Sequence, residues 1–142
     1  MSHPPAPAPS RDRFPRLVLM IAGLVGIVEV APLYFYEGTL NRTQPPALTH
    51  PEFYYGFIGI VLAWQVAFLI MSRDPARYRA LMPALFLEKL LYPAAVFALY
   101  AQGRVGSATT LGTAALDLVW LALFVAVWIR LRRGWRPAAS PS

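Results

Sequence analysis

Three carboxylates and one ammonium group, at Glu29, Glu88, Asp117 and Lys89, interrupt stretches that are otherwise long and apolar. Such groups can bind and release protons, hold a cation or orient an amphipathic molecule. Glu88 or Asp117 could also work as a general acid or base. Near the centre of a bilayer each charge costs about 2.5–3.5 kcal/mol, so it needs a partner or a use. Helical rise puts the groups at a common depth. Glu29 falls ~18 Å beyond Leu17, Asp117 ~12 Å beyond Thr109, and Glu88 ~11 Å beyond Leu81 with Lys89 next to it. Gln65 lies ~18 Å beyond Phe53. Each of the four stretches therefore offers a polar group within one or two turns of a common midplane. Full ionisation would leave this layer with a net charge of −2. At least one acid is therefore expected to carry a proton, unless a cation is bound.

The elements that must hold this layer are read from apolar length. Spans are expected over ~17–36, ~53–71, ~80–101 and ~109–130, each near the ~20 residues that cross a ~30 Å hydrocarbon core. Of the 142 residues 57% are hydrophobic and 14% charged, against about 25% charged in a soluble domain. The expected fold is all-α, an integral membrane four-helix bundle over 13–133. Disordered tails are expected at 1–12, which is rich in proline, and at 134–142. The first stretch is too long for a signal peptide, contains Glu29 and is followed by no A-x-A-like site. The absence of cysteine excludes disulfides, thiolate nucleophiles and iron–sulfur ligation. The histidines, His3 and His50, lie outside the spans, which excludes a bis-histidine haem within them. No metal site and no cofactor are expected.

Charge sets an orientation. Arg11, Arg13, Arg16, Arg73, Arg77, Arg79, Arg130, Arg132, Arg133 and Arg136 fall at one set of span ends, and only Arg42 and Arg104 at the other. The positive-inside rule then places both termini in the cytoplasm. This distribution explains the net charge of +6 without nucleic acid as a partner. Tyr34, Tyr36, Tyr54, Tyr55 and Tyr100 mark the outer ends, and Trp128 and Trp135 the inner end of span four. Asp74-Pro75 has the form of a cap and first residue for helix three, and His50-Pro51-Glu52 for helix two. The connection from Glu37 to Thr49 is expected as a long loop. Asn41-Arg42-Thr43 fits a glycosylation acceptor, a triplet common by chance.

Helical faces refine the site. Ala22, Gly26 and Glu29 share a stripe, which predicts that Glu29 sits at a small-residue contact. Thr110, Thr113, Asp117, Trp120 and Phe124 form the most polar face of any span. Ala84, Glu88, Tyr92 and Ala95 share a face, so the Tyr92 hydroxyl is expected near Glu88. Glu88 and Lys89, about 100° apart on the helix, are expected to diverge, with Lys89 snorkelling toward the cytoplasm. Pro32 and Pro93 withhold a hydrogen bond from the Val28 and Lys89 carbonyls beside the acids. Small residues at Gly59-Ala63-Ala67, Ala94/Ala98 and Ala122/Ala126 are expected at helix contacts, within the bundle or between subunits. A structural role competes with chemistry throughout: protonated acids can bind neighbouring helices, and Gln65, Trp64 and Trp120 suit packing more than chemistry.

The stretch from His50 to Arg104, with HPEFYYGF, AWQVAFLI, RDPARYR and EKLLYP, resembles small uncharacterised four-span bacterial membrane proteins. Its layout is similar to that of the DoxX-like superfamily, short four-helix bundles of which some are tied to respiratory or quinone-linked oxidation. The resemblance implies a bacterial inner-membrane address. It transfers no catalytic residue.

The expectation is a multi-pass inner-membrane protein. Its polar site would be built from Glu29, Gln65, Glu88, Lys89, Tyr92 and Asp117 and lined by Trp64, Thr113 and Trp120. That site would bind or transport a proton, a cation or a small amphipathic molecule such as a quinone. A second expectation is an accessory subunit of a larger respiratory-type membrane complex, or a homo-oligomer. A lipid-modifying enzyme ranks last, because no nucleophile motif, metal cluster or cofactor fingerprint is present.

Overall fold

The computed structural model describes residues 13–44 and 46–134, and these hold helices and turns with no strand among them. The order is α1 (Arg13–Val30), a 3-10 helix (Ala31–Phe35), α2 (Glu37–Thr43), α3 (Pro51–Arg73), a 3-10 helix (Arg79–Leu81), α4 (Met82–Ala101) and α5 (Ala108–Gly134). Four stretches are long and apolar enough to cross a membrane: Arg13–Phe35, Pro51–Arg73, Arg79–Ala101 and Ala108–Arg133. These are the four stretches expected from the sequence. The tails expected to be disordered, with Trp135 and Arg136, lie outside the described residues, apart from Gly134 at the end of α5.

Local chemistry sets the boundaries. Pro51 opens α3, where its missing N–H costs nothing, and His50 Nδ1 lies 3.1 Å from Glu52 Oε1 in the first turn. The expected cap at Asp74-Pro75 is not a helix start. Asp74 takes an extended φ of −147° and ψ of 77°, and its N–H bonds to the Met71 carbonyl, so it ends α3. Helix α4 begins only at Met82, with Pro83 in its first turn. Pro32 falls at the start of the 3-10 helix that follows α1. Gly103 ends α4 with a φ of 70°, and the Arg104 N–H returns to the Leu99 carbonyl at 3.0 Å. That left-handed turn favours a residue without Cβ. The loop expected over Glu37–Thr49 is partly helical. The Oδ1 of Asn41, in α2, accepts from the Leu48 N–H at 2.8 Å, which ties the carboxamide oxygen of the glycosylation-like triplet to the loop that follows.

The chain divides into two compact units. One is Arg16–Asp74; the other joins the residues up to Pro15 to those from Pro75 onward. In the first, α1 and α3 run antiparallel and meet where α1 carries glycine. A Cβ on Gly26 would overlap the Gln65 carboxamide, and one on Gly23 would come within 2.8 Å of the Gln65 carbonyl. Two absent side chains thus allow the close approach. In the second, α4 and α5 form an antiparallel hairpin joined by residues 102–107. Phe86 meets Trp128 edge-on at 6.3 Å, and the Arg130 guanidinium lies 4.2 Å over the Phe14 ring. Among the small residues expected at helix contacts, Ala63, Ala94, Ala98 and Ala122 are exposed within the single chain.

Candidate functional site

The α4–α5 hairpin gathers two of the three acids, Glu88 and Asp117, and the lysine into one cluster. Lys89 Nζ lies 3.1 Å from Asp117 Oδ1 and 3.2 Å from Glu88 Oε1. The expected divergence of Glu88 and Lys89 is therefore wrong. The 100° between their Cα–Cβ bonds is closed by two long, flexible side chains that curl back to each other. Lys89 does not reach for the helix end either, because two carboxylates compete for it at mid-helix. The cluster is largely sealed: side-chain exposure is 9% at Lys89 and 11% at Glu88, rising to 21% at Asp117. With both acids ionised its charge is −1. The second oxygen of Glu88, Oε2, is buried and has no hydrogen-bond partner. A buried acceptor left unmatched costs about 1–3 kcal/mol, more when charged. This oxygen therefore suits a proton or an incoming donor.

Tyr92 is not near Glu88 in the way expected. Its hydroxyl lies 3.0 Å from Thr113 Oγ1 on α5. The Thr113 hydroxyl donates to the Thr110 carbonyl at 2.9 Å, so the proton between Tyr92 and Thr113 comes from the tyrosine. The polar stripe on α5 is real as a contact: Thr113 and Asp117 meet α4, and below them Trp120 lies against Phe124, with centroids 6.4 Å apart.

The remaining predicted site residues belong to the other unit. Gln65 is fully buried, its Nε2 donates to the Val61 carbonyl at 3.2 Å, and its carboxamide fills the space over Gly26. Trp64 lies against Phe68, at 6.2 Å between centroids. Glu29 is exposed, which corrects its expected place inside a contact. On α3 the residues from Ile58 to Ala63 are Ile, Gly, Ile, Val, Leu and Ala, which offer its carboxylate no side-chain donor.

One cluster at the other end of α3 escaped the sequence argument. The Tyr55 hydroxyl donates to Glu37 Oε2 at 2.7 Å, the Tyr54 hydroxyl donates to the Leu33 carbonyl at 2.8 Å, and Tyr34 stacks on Tyr55 at 5.7 Å. The tyrosines were legible as a belt. Their pairing with Glu37 depends on the turn after Pro32, which periodicity does not show.

No protein-family model matches the chain, and nothing among the curated proteins or the solved structures matches it.

Proposed function

We propose that the chain is a multi-pass membrane protein that binds a proton or a small cation at the Glu88–Lys89–Asp117 cluster, as a binding or transport-type module. The observation that carries this is the buried, unpartnered Glu88 Oε2 within a cluster that holds two acids and one base. A purely structural ion pair would be satisfied by one acid per lysine. The second acid leaves room for a positive charge to come and go. An amphipathic ligand such as a quinone, which would supply polar oxygens to the same donors, fits the cluster less well, since Lys89 already has two acceptors. The address we propose is the bacterial inner membrane, in a DoxX-like layout, with both termini cytoplasmic. The arginine distribution supports the orientation.

Infrared spectroscopy of the protein in nanodiscs tests the site. A carboxylic-acid band at neutral pH that disappears in Glu88→Gln or Asp117→Asn, with the fold retained, is the expected result. Absence of any such band, together with proton and cation binding unchanged in both variants, would overturn it. Labelling of single cysteines at Ser10, Thr43, Ser107 and Ser140 in intact cells tests the orientation, since the chain has no cysteine of its own. Reaction from outside at 43 and 107 only is expected.

A second reading, an accessory subunit of a larger membrane complex or a homo-oligomer, is favoured by one observation. Glu29 is exposed on a helix long and apolar enough to cross a membrane, where a carboxylate calls for a partner outside the chain.

A further inference from the structure

The two directions leading away from the cluster along the α4–α5 hairpin are chemically opposite. Toward the arginine end, α4 continues as Met82 to Leu87 and α5 as Leu118 to Ile129, with no ionisable or hydroxyl side chain in either run. Leu85, Met82, Phe124 and Val127 are completely buried there, and Phe86 closes on Trp128. Between α4 and α5, no side chain at this level can hydrate a moving charge. Toward the loop end the pattern reverses. One turn beyond Asp117 stands Thr113, which is exposed and tied to Tyr92 and to the Thr110 carbonyl. The neighbouring Gly112 is exposed as well, with no atom within 4 Å of where a Cβ would stand. Asp117 is also the most exposed member of the cluster.

We propose that water, with the protons or small hydrated cations it carries, reaches the Glu88–Lys89–Asp117 cluster only from the end that holds the 102–107 loop. It passes by Thr113 and Tyr92, and the layer of Leu85, Phe124 and Val127 seals the cluster from the arginine end. This rests on the proton- or cation-binding reading above and adds a direction to it. The titratable groups within one turn of Glu88 on the two helices are Lys89, Asp117 and Tyr92. Tyr92 holds its proton toward Thr113, so its hydroxyl oxygen is left as an acceptor for water near the cluster. Tyr92 and Thr113 are positioning residues: they order the approach and do not bind the charge.

The native absence of cysteine makes the test direct. Single cysteines at Thr113, Asp117, Leu85 and Val127 are placed in the full-length protein in sealed membrane vesicles of both orientations. Each is challenged with a small, charged, membrane-impermeant methanethiosulfonate. Ser107→Cys reports which face carries the loop. Modification at positions 113 and 117 from the loop face only, with 85 and 127 unreactive from either face, is the expected result. If Asp117→Cys does not fold, Glu88→Cys, at the other acid of the cluster, takes its place. Modification of 117 or 88 from the arginine face, or of the cluster position tested from neither face, overturns the proposal. So does modification of 85 or 127 from the arginine face. These outcomes leave the proton- or cation-binding reading intact, because its own failure shows in the infrared band of the unsubstituted protein.

Discussion

The two units solve the same problem, a polar group at mid-helix, in opposite ways. In the α1–α3 pair Gln65 is neutral, donates to a carbonyl of its own helix and is accommodated by the missing side chains of Gly23 and Gly26. In the α4–α5 hairpin the polar groups are charged, bind across helices and leave one acceptor unmatched. A neutral group that is satisfied locally can only hold helices together. A charged cluster short of one positive charge can also exchange something. That difference is why the proposed binding site lies in the second unit, with a packing role for Gln65 in the first.

The comparison can be broken by substitution. Removing the one base should have the largest effect. Lys89→Met leaves two buried acids without a counter-charge and should cost about 3 kcal/mol or more in thermal or denaturant unfolding of the protein in detergent. A cost near zero would mean that the acids are already neutral and that the cluster is not ionic. On the other side of the comparison, Gly26→Leu drives a side chain into the Gln65 carboxamide and should cost about 2 kcal/mol by the same assay. Preserved stability would show that α1 and α3 are not in close contact. Tyr55→Phe removes a hydrogen bond to the Glu37 carboxylate and should cost less than either change, localised by faster amide exchange around Glu37. The smallest change is expected for Gln65→Met, which keeps the volume and gives up only a bond within its own helix. A shift under about 1 kcal/mol is expected, and a loss as large as that of Lys89→Met would erase the distinction between the units.

Much of this was legible in the chain, and the exceptions have physical causes. Apolar length found the four long helices, because a helix of that composition needs no partner to be recognised. Pro51 after His50 marked the start of α3. The resembling pair Asp74-Pro75 misled, because aspartate ends one helix as readily as it begins another and Pro83 was free to open α4. The polar face of α5 was read correctly from spacing. Which groups would meet was harder: Lys89 can reach in two directions, and helical angle alone treats a long side chain as if it stopped at Cβ. The stripe of Ala22, Gly26 and Glu29 was right about the glycine and wrong about the acid. Contact on one face does not extend along the whole helix, and α3 has no donor at the level of Glu29.

The exposure of Glu29 also bears on how the chain is made. A carboxylic side chain in mid-span adds about 2.5–3.5 kcal/mol to insertion. Leu, Ile and Val each return about 0.3–0.6 kcal/mol, and between Leu17 and Val30 there are nine of them. The carboxylate thus offsets a large part of what those nine residues would contribute to partition into lipid. Replacing Glu29 with leucine should therefore strengthen insertion of the Arg13–Phe35 segment, and a glycosylation-mapping assay on the isolated segment would read this out.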